Sequence, residues 1–362
     1  MQSPHDPLVF DGHNDLLWRL WNAKSQNLKP GATERAVLDG GSDGHIDLPR
    51  MLKGGFGGGL FAVYIPSKGA GDLDALMQGE RYDVPLPPAI LATEALPVAL
   101  AMIDSLVRIE RAAAGRLSIC RSVAGISQCL STGTVAAVLH MEGAEAIGAD
   151  LTGLEALYTL GLRSIGPVWS RPNVFGHGVP FRYPATGDTG PGLTDAGKAL
   201  VRACDDLGIA IDLSHMTEKG FWDVAKISRR PLIATHSNAY AICPHARNLS
   251  DRQLAAIAET GGMVGLNFAT CFLRPDGQNG SDTSPTPVAL MLRHLDHLIG
   301  KLGIGHVGFG SDFDGARVPE AIGDVAGLPV LVAALRTHGF DEASLRKLCH
   351  ENWLSALARA WR

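Results

Sequence analysis

Ile209-Ala210-Ile211-Asp212-Leu213-Ser214-His215 is followed, one helical stretch later, by Leu232-Ile233-Ala234-Thr235-His236-Ser237-Asn238. Each is a short apolar run, rich in β-branched residues, that stops at a polar cluster carrying a histidine. Glu218–Ile227 between them has amphipathic helical spacing. Strand, helix and strand in that order make the βαβ unit of a parallel sheet. The same reading extends outward. Upstream lie Leu8–Asp11, Gly59–Ile65, Val135–His140 and Ser164–Val168; downstream lie Met263–Asn267 and Val307–Ser311. That makes eight strands. Helical stretches near Ile90–Ala114, Thr194–Leu207, Asp251–Glu259 and Pro287–Leu302 separate most of them, with Thr194 and Asp251 as N-caps and Gly208 and Gly261 as stops. A tail helix runs from Glu342 to Trp361. The expected fold is α/β, a TIM-like (β/α)8 barrel. A doubly wound open sheet is the alternative, but no G-x-G-x-x-G follows the first strand. No linker composition or internal repeat interrupts residues 1–362, so one barrel domain is expected. Trp18–Pro49 reads as an excursion over the barrel mouth, and 171–192 and 274–286 as active-site loops.

Composition narrows the function. The 362 residues are 46% hydrophobic and 19% charged, which excludes disorder and coiled coil. With 32 Lys+Arg against 37 Asp+Glu, net charge −5 and no basic tract, no nucleic-acid partner is expected. The longest apolar stretch, Pro88–Val107, contains Glu94, Pro97 and Asp104, so it reads as buried helix and no membrane partner is expected. Met1–Asp6 shows no signal-peptide pattern, and a cytoplasmic location is the expectation. The six cysteines are scattered without C-x-x-C spacing and read as reduced, mostly buried thiols.

Barrel enzymes gather their chemistry at the C-terminal ends of strands. Strand 1 ends in Asp11-Gly12-His13-Asn14-Asp15; His13 and Asp15, two apart on an extended strand, point the same way. Strand 3 ends in His140-Met141-Glu142-Gly143, strands 5 and 6 in His215 and His236, and strand 8 in Ser311-Asp312-Phe313-Asp314-Gly315. His13, Asp15, Glu142, His215 and His236 offer three imidazoles and two carboxylates. A single tetrahedral zinc would leave charged groups stranded. Two ions sharing Glu142 would use all five, with His13 and Asp15 on one and His215 and His236 on the other. Such a binuclear site would ionise a bridging water to hydroxide near neutral pH. Nitrogen and oxygen ligands without thiolate suit two Zn2+, with Mn2+ or Co2+ as substitutes.

The remaining histidines carry less. His294 and His297 lack zincin spacing and read as helix residues. His5, His45, His245, His306, His338 and His350 have no partner pattern, and His140 lies behind the ligands or is simply buried. Gly54–Gly59 has no Lys-Ser/Thr after it, so it reads as close backbone packing and not as a phosphate cradle.

These residues resemble a known family, the membrane (renal or microsomal) dipeptidases of peptidase family M19. The matching pieces are Asp11–Asp15, Gly54–Tyr64, Met141-Glu142-Gly143, Ile211–His215, Thr235–Tyr240, Arg247–Asp251, Gly308–Gly315 and Glu351–Leu354, in order along nearly the whole chain. The resemblance implies a TIM-like barrel whose binuclear zinc site hydrolyses dipeptides. It carries the metal ligands onto the same five residues. It also implies that Arg247 holds the substrate's terminal carboxylate and that Asp312 is the acid/base. The expected reaction is attack by the metal-bridging hydroxide, with Glu142 as the bridge. Asp312 passes the proton to the leaving amine, and Arg247 restricts the length to two residues. Similar bacterial enzymes imply L-Xaa-D-Xaa dipeptides, and the family implies a homodimer.

One position departs from the family. Trp169 stands after strand 4, where the family has a histidine that contacts the substrate carbonyl. An indole N–H donates a hydrogen bond but carries no charge. His177 is the candidate substitute, and Arg171 and Arg182 are candidates for an acidic substrate group. The departure keeps one alternative open, an amidohydrolase acting on another amide or an N-acyl amino acid; a non-catalytic binding barrel is disfavoured because all five ligand candidates and Asp312 are present. No strand-end lysine is placed to be carboxylated, which argues against the phosphotriesterase-like and urease-like branches.

Overall fold

The computed structural model describes residues 6–25, 32–41, 43–67, 73–279 and 284–361. All eight expected strands form: β1 (Val9–Asn14), β2 (Phe56–Tyr64), β3 (Val135–Glu142), β4 (Leu162–Gly166), β5 (Ala210–Ile211), β6 (Ile233–Ala234), β7 (Met263–Asn267) and β8 (Val307–Gly310). They pair in parallel in the order β5-β4-β3-β2-β1-β8-β7-β6. The two ends meet where Asp212 bridges Ile233 and the Leu213 N–H donates to the Ile233 carbonyl at 2.8 Å. The result is a nearly closed TIM-like barrel.

β5 and β6 are shorter than expected. Beyond Ile211 the backbone N–H groups of Ser214 and Thr235 turn to the Asp212 carboxylate, at 2.9 and 2.8 Å, and leave the ladder. Three strands were not foreseen: Tyr82–Asp83 and Arg182–Tyr183 pair antiparallel apart from the barrel, and the third joins the barrel's foot. Leu117–Ile119 pairs with Val135–Ala137 at the foot of β3, while β4 takes Leu139–Glu142 at its top. Three residues are too few for a period to be read. The Trp18–Pro49 excursion is largely helical, over Leu16–Ser25, Ala32–Asp39 and, at its end, Leu48–Gly54, with Leu20, Val37 and Ile46 buried. His5 and residues 280–283 of the 274–286 loop lie outside the described residues.

Helix ends follow local chemistry. Thr194 and Thr217 accept from the N–H groups of Gly197 and Gly220, and Gly208 closes its helix at φ 74°. Ser250, one residue before the expected Asp251, is the N-cap, in a capping box with Gln253. The tail helix runs over Glu342–Arg346 and Asn352–Ala360 with a π-turn between. Its Trp353 is fully buried in the barrel foot and donates from Nε1 to the Phe309 carbonyl at 2.9 Å. Gly12 leaves room for it, since a Cβ there would come within 2.3 Å of the indole. Gly58 likewise lets β2 approach the Ala136 carbonyl, as the glycine run predicts. All six cysteines are free and buried. Among the described residues no helix is long and apolar enough to cross a membrane.

Candidate metal centre and active-site cleft

The parallel topology sends the ends of β1, β3, β5 and β6 to one rim, and five buried side chains meet there. Glu142, the last residue of β3, is their centre: its Oε1 lies 2.9 Å from His215 Nε2, 3.4 Å from His236 Nε2 and 3.6 Å from His13 Nε2. The two Nε2 atoms of His215 and His236 are 3.0 Å apart, and His13 Nε2 is 3.3 Å from Asp15 Oδ2. The distances thus fall into a His13–Asp15 side and a His215–His236 side with Glu142 between. Candidate ligand atoms of His13, Glu142 and His236 lie within 4.8 Å of one another, as do those of His13, Asp15 and Asp312. Asp312 thus lies close to the His13–Asp15 side of the cluster. A third group of this kind joins His13 to His140 and Asp212, but Asp212 already accepts from Ser214 and Thr235.

The site is held against local preference. His215 and Asp312 adopt φ of 66° and 61°, the left-handed region that non-glycine residues avoid. The His215 carbonyl accepts from Val179 at 2.7 Å and the Asp312 N–H donates to the His13 carbonyl at 3.0 Å. Asp11 ties β1 to β8, accepting from the Ser311 N–H at 2.6 Å and its hydroxyl at 2.7 Å. Gly315 keeps the space beside the carboxylates open, for a Cβ there would sit 2.1 Å from Asp15 Oδ2.

Electrostatics favour a cation. Burial opposes charge on His13, yet Glu142 and Asp15 push its pKa up to about 10. Burial raises Glu142 well above the usual carboxylate range against the pull of His13. Burial, helped by Arg247 and His13, holds His215 and His236 well below the ordinary imidazole value, leaving neutral rings with a lone pair to give. Among the described residues, neither ring nitrogen of the fully buried His13 has a hydrogen-bond partner. A buried donor set of imidazoles and carboxylates, with His13 orphaned, fits divalent metal ions of the zinc type.

Arg247 is buried beside this cluster, with Nη2 3.2 Å from His215 Nε2 and 3.2 Å from the His236 carbonyl. Its Nε has no hydrogen-bond partner among the described residues. Trp169 packs 5.0 Å from Tyr64, 5.7 Å from Phe181 and 5.8 Å from His215, ring to ring. It forms one wall of a cleft of about 150 Å³ whose lining includes Asp15, Glu142, His215 and Asp312. His177 pairs with Pro172 across a turn and does not line that cleft. Arg171 is not available to substrate: fully buried, it pairs with Glu145 at 2.8 Å and donates to Ser67 and the Ile65 carbonyl. Arg182 pairs with Asp83 at 2.8 Å, also outside the cleft. His294 is structural, as its helix setting implies, bonding Ala239 and Leu273.

The sequence pattern of the membrane dipeptidases (peptidase family M19) matches residues 5–361. The chain belongs to peptidase family M19. It is therefore a metal-dependent peptide-bond hydrolase of the dipeptidase kind. A metallopeptidase from Rhodobacter sphaeroides, solved with a phosphinate mimic of the dipeptide L-Ala-D-Ala, is 56% identical, with TM-score 0.94 over 98% of this chain and 100% of its own. A solved M19 dipeptidase, dipeptidase AC, is also 56% identical, with TM-score 0.93 over 99% of each chain. An uncharacterised protein encoded in the pqqA 5′ region of Klebsiella pneumoniae is 49% identical over 248 residues, 68% of this chain and 90% of its own.

Other residues of this M19 chain escaped the sequence reading. Asn267, at the end of β7, donates from Nδ2 to Asp312 Oδ2 at 2.9 Å. The rule that exposed the ligands, polar residues at strand ends, applies to it equally. Ser170 and Thr235 hold the Nδ1 atoms of His215 and His236, each at 2.8 Å. Tyr64, Phe181 and Phe272 line the cleft with Trp169. No local signal separates these aromatics from core residues.

Proposed function

We propose that this barrel, as a single domain, is a zinc dipeptidase that cleaves small dipeptides, including L-Xaa-D-Xaa. The observation that carries the reading is the convergence of His13, His215 and His236 on one Glu142 oxygen, with Asp15 beside His13. His13 and Asp15 would hold one ion and His215 and His236 the other, with Glu142 shared. Bound there, divalent cations supply Lewis-acid polarisation of the scissile carbonyl and acidify the attacking water.

The chain's own groups do the rest. Burial raises the Asp312 carboxyl, with His13 opposing, so it is suited to take a proton and pass it to the departing amine. The Asn267 amide fixes one of its oxygens. Burial costs Arg247 some of its affinity for a proton, while Asp312 and Glu142 act to keep it charged. Its guanidinium is the match for a dipeptide's terminal carboxylate, and fixing that end limits the substrate to two residues. Aromatic walls suit small side chains and exclude water. The L-Ala-D-Ala mimic bound by the Rhodobacter relative supports the stereochemical part of the reading.

Trp169 favours one second reading, hydrolysis of N-acyl amino acids, because its indole lines the cleft without offering a charge. Amine release from L-L dipeptides, L-D dipeptides and N-acyl amino acids, with zinc-loaded and chelated protein, decides between them. Metal-dependent cleavage of dipeptides, with L-D pairs among the substrates, is expected. Silence on every dipeptide with turnover of N-acyl substrates would overturn the proposal.

A further inference from the structure

Asp212 sits at the head of a hydrogen-bond chain that ends on His236, and its Oδ2 also lies 4.0 Å from His236 Nδ1 and 3.6 Å from His140 Nε2. Its Oδ1 accepts two backbone N–H groups, from Ser214 at 2.9 Å and Thr235 at 2.8 Å. Its Oδ2 accepts the Thr235 hydroxyl at 2.7 Å. A hydroxyl has a single proton. Once Thr235 gives that proton to Asp212, its Oγ1 has only lone pairs left for His236 Nδ1, 2.8 Å away. The proton of that contact must then come from the imidazole. With that proton on Nδ1, the ring nitrogen left to offer a lone pair is Nε2, the atom that faces Glu142 and His215.

We infer that Asp212 is a positioning residue that sets the tautomer of His236 through Thr235 and so aims its Nε2 lone pair at the metal centre. The metal consequence rests on the proposed role of His236 as a ligand; the tautomer does not. The two neighbouring imidazoles differ in this respect. His215 Nδ1 and His140 Nδ1 meet Ser170 and Ser164, at 2.8 and 2.9 Å, and among the described residues no carboxylate accepts from either serine. The directed chain among them belongs to His236.

The inference predicts an inversion, which simple loss of packing would not give. In Asp212→Asn, an amide oxygen that keeps the two backbone N–H groups leaves its NH2 pointing at Thr235 Oγ1. The amide now donates, the Thr235 hydroxyl must donate onward to His236 Nδ1, and the ring proton moves to Nε2. Thr235→Ser keeps the chain, and Thr235→Val removes it.

The test is 15N NMR of histidine-labelled full-length protein as purified, before and after zinc addition, paired with titration of bound zinc. His236 is assigned by its loss in His236→Gln. Wild type and Thr235→Ser are expected to show Nδ1–H at His236 and to bind zinc alike. Asp212→Asn is expected to show Nε2–H and to bind the His236-dependent ion about tenfold to a hundredfold more weakly. Should Asp212→Asn fail to fold, Thr235→Val serves instead, with the Nδ1–H preference lost and the same weakening. An unchanged Nδ1–H signal with unchanged zinc affinity in a folded variant would overturn the inference. If His236→Gln binds zinc like wild type, the ligand reading fails, and the tautomer shift alone decides the role of Asp212.

Discussion

The Asn267 amide and the Asp312 carboxylate are joined by a 2.9 Å hydrogen bond across the barrel mouth, from Nδ2 to Oδ2. Asn267 cannot turn away, because its Oδ1 accepts the Ala269 N–H at 2.6 Å and its own N–H donates to Asn238 Oδ1 at 3.0 Å. One Asp312 oxygen is thereby an acceptor fixed in place. The other lies beside Gly315, where a Cβ would approach it to 2.5 Å.

That fixed carboxylate gives the sharpest prediction. Asp312→Asn keeps the shape but cannot carry a proton between water and amine. Turnover is expected to fall on the order of a hundredfold to ten-thousandfold while zinc content stays close to wild type. Kinetics on a cleaved dipeptide together with metal analysis would check it, and near-normal turnover would rule out the acid/base role.

Arg247→Met removes the charge that meets the terminal carboxylate. KM for dipeptides is expected to rise at least about tenfold, the loss of one strong charge-assisted contact. Dipeptide amides, which lack that carboxylate, are expected to lose far less. Equal losses on acids and amides would show that Arg247 does not read the carboxylate.

Gly315→Ala places a methyl 2.1 Å from Asp15 Oδ2 and 2.5 Å from Asp312 Oδ1. Both carboxylates must shift, and zinc affinity is expected to drop about tenfold or more while the barrel stays folded. Zinc titration alongside circular dichroism gives the answer. Unaltered affinity would mean that Asp15 tolerates displacement and is not a ligand.

His294 predicts a pH dependence away from the metal centre. Its Nδ1 accepts the Ala239 N–H at 3.1 Å and its Nε2 faces the Leu273 carbonyl at 3.0 Å, so it folds as the neutral ring. Burial lowers its pKa from 6.5 to about 4. The unfolded chain takes up the proton first as pH falls, so stability is lost between about pH 6.5 and 4, by at most about 3 kcal/mol. Thermal unfolding should weaken across that window, and His294→Gln should flatten the slope. A variant with the wild-type slope would assign it to other groups.

Much of this molecule was legible in the sequence because a parallel barrel converts local pattern into spatial position. Every strand of such a barrel delivers its C-terminal end to the same rim. A polar residue after an apolar run is therefore near the others, however far apart they lie in the chain. His13, Asp15, Glu142, His215 and His236 could be named on that ground, and they meet within a few ångström. The same logic covered Asp312 and passed over Asn267.

What only the tertiary structure decided is which polar group spends itself on which. Arg171, open in sequence to a role with substrate, is consumed by Glu145, Ser67 and the Ile65 carbonyl. His177, in the same loop, bridges Pro172 through its backbone and does not line the cleft. The Asp212 carboxylate draws the Thr235 N–H off the β-ladder and also takes the Thr235 hydroxyl, whose oxygen meets His236 Nδ1. Asp11 finds Ser311 three hundred positions away. Apolar periodicity is a local property and survives in the sequence. Hydrogen-bond partnership depends on direction and distance to within a few tenths of an ångström, and those exist only once the barrel has closed.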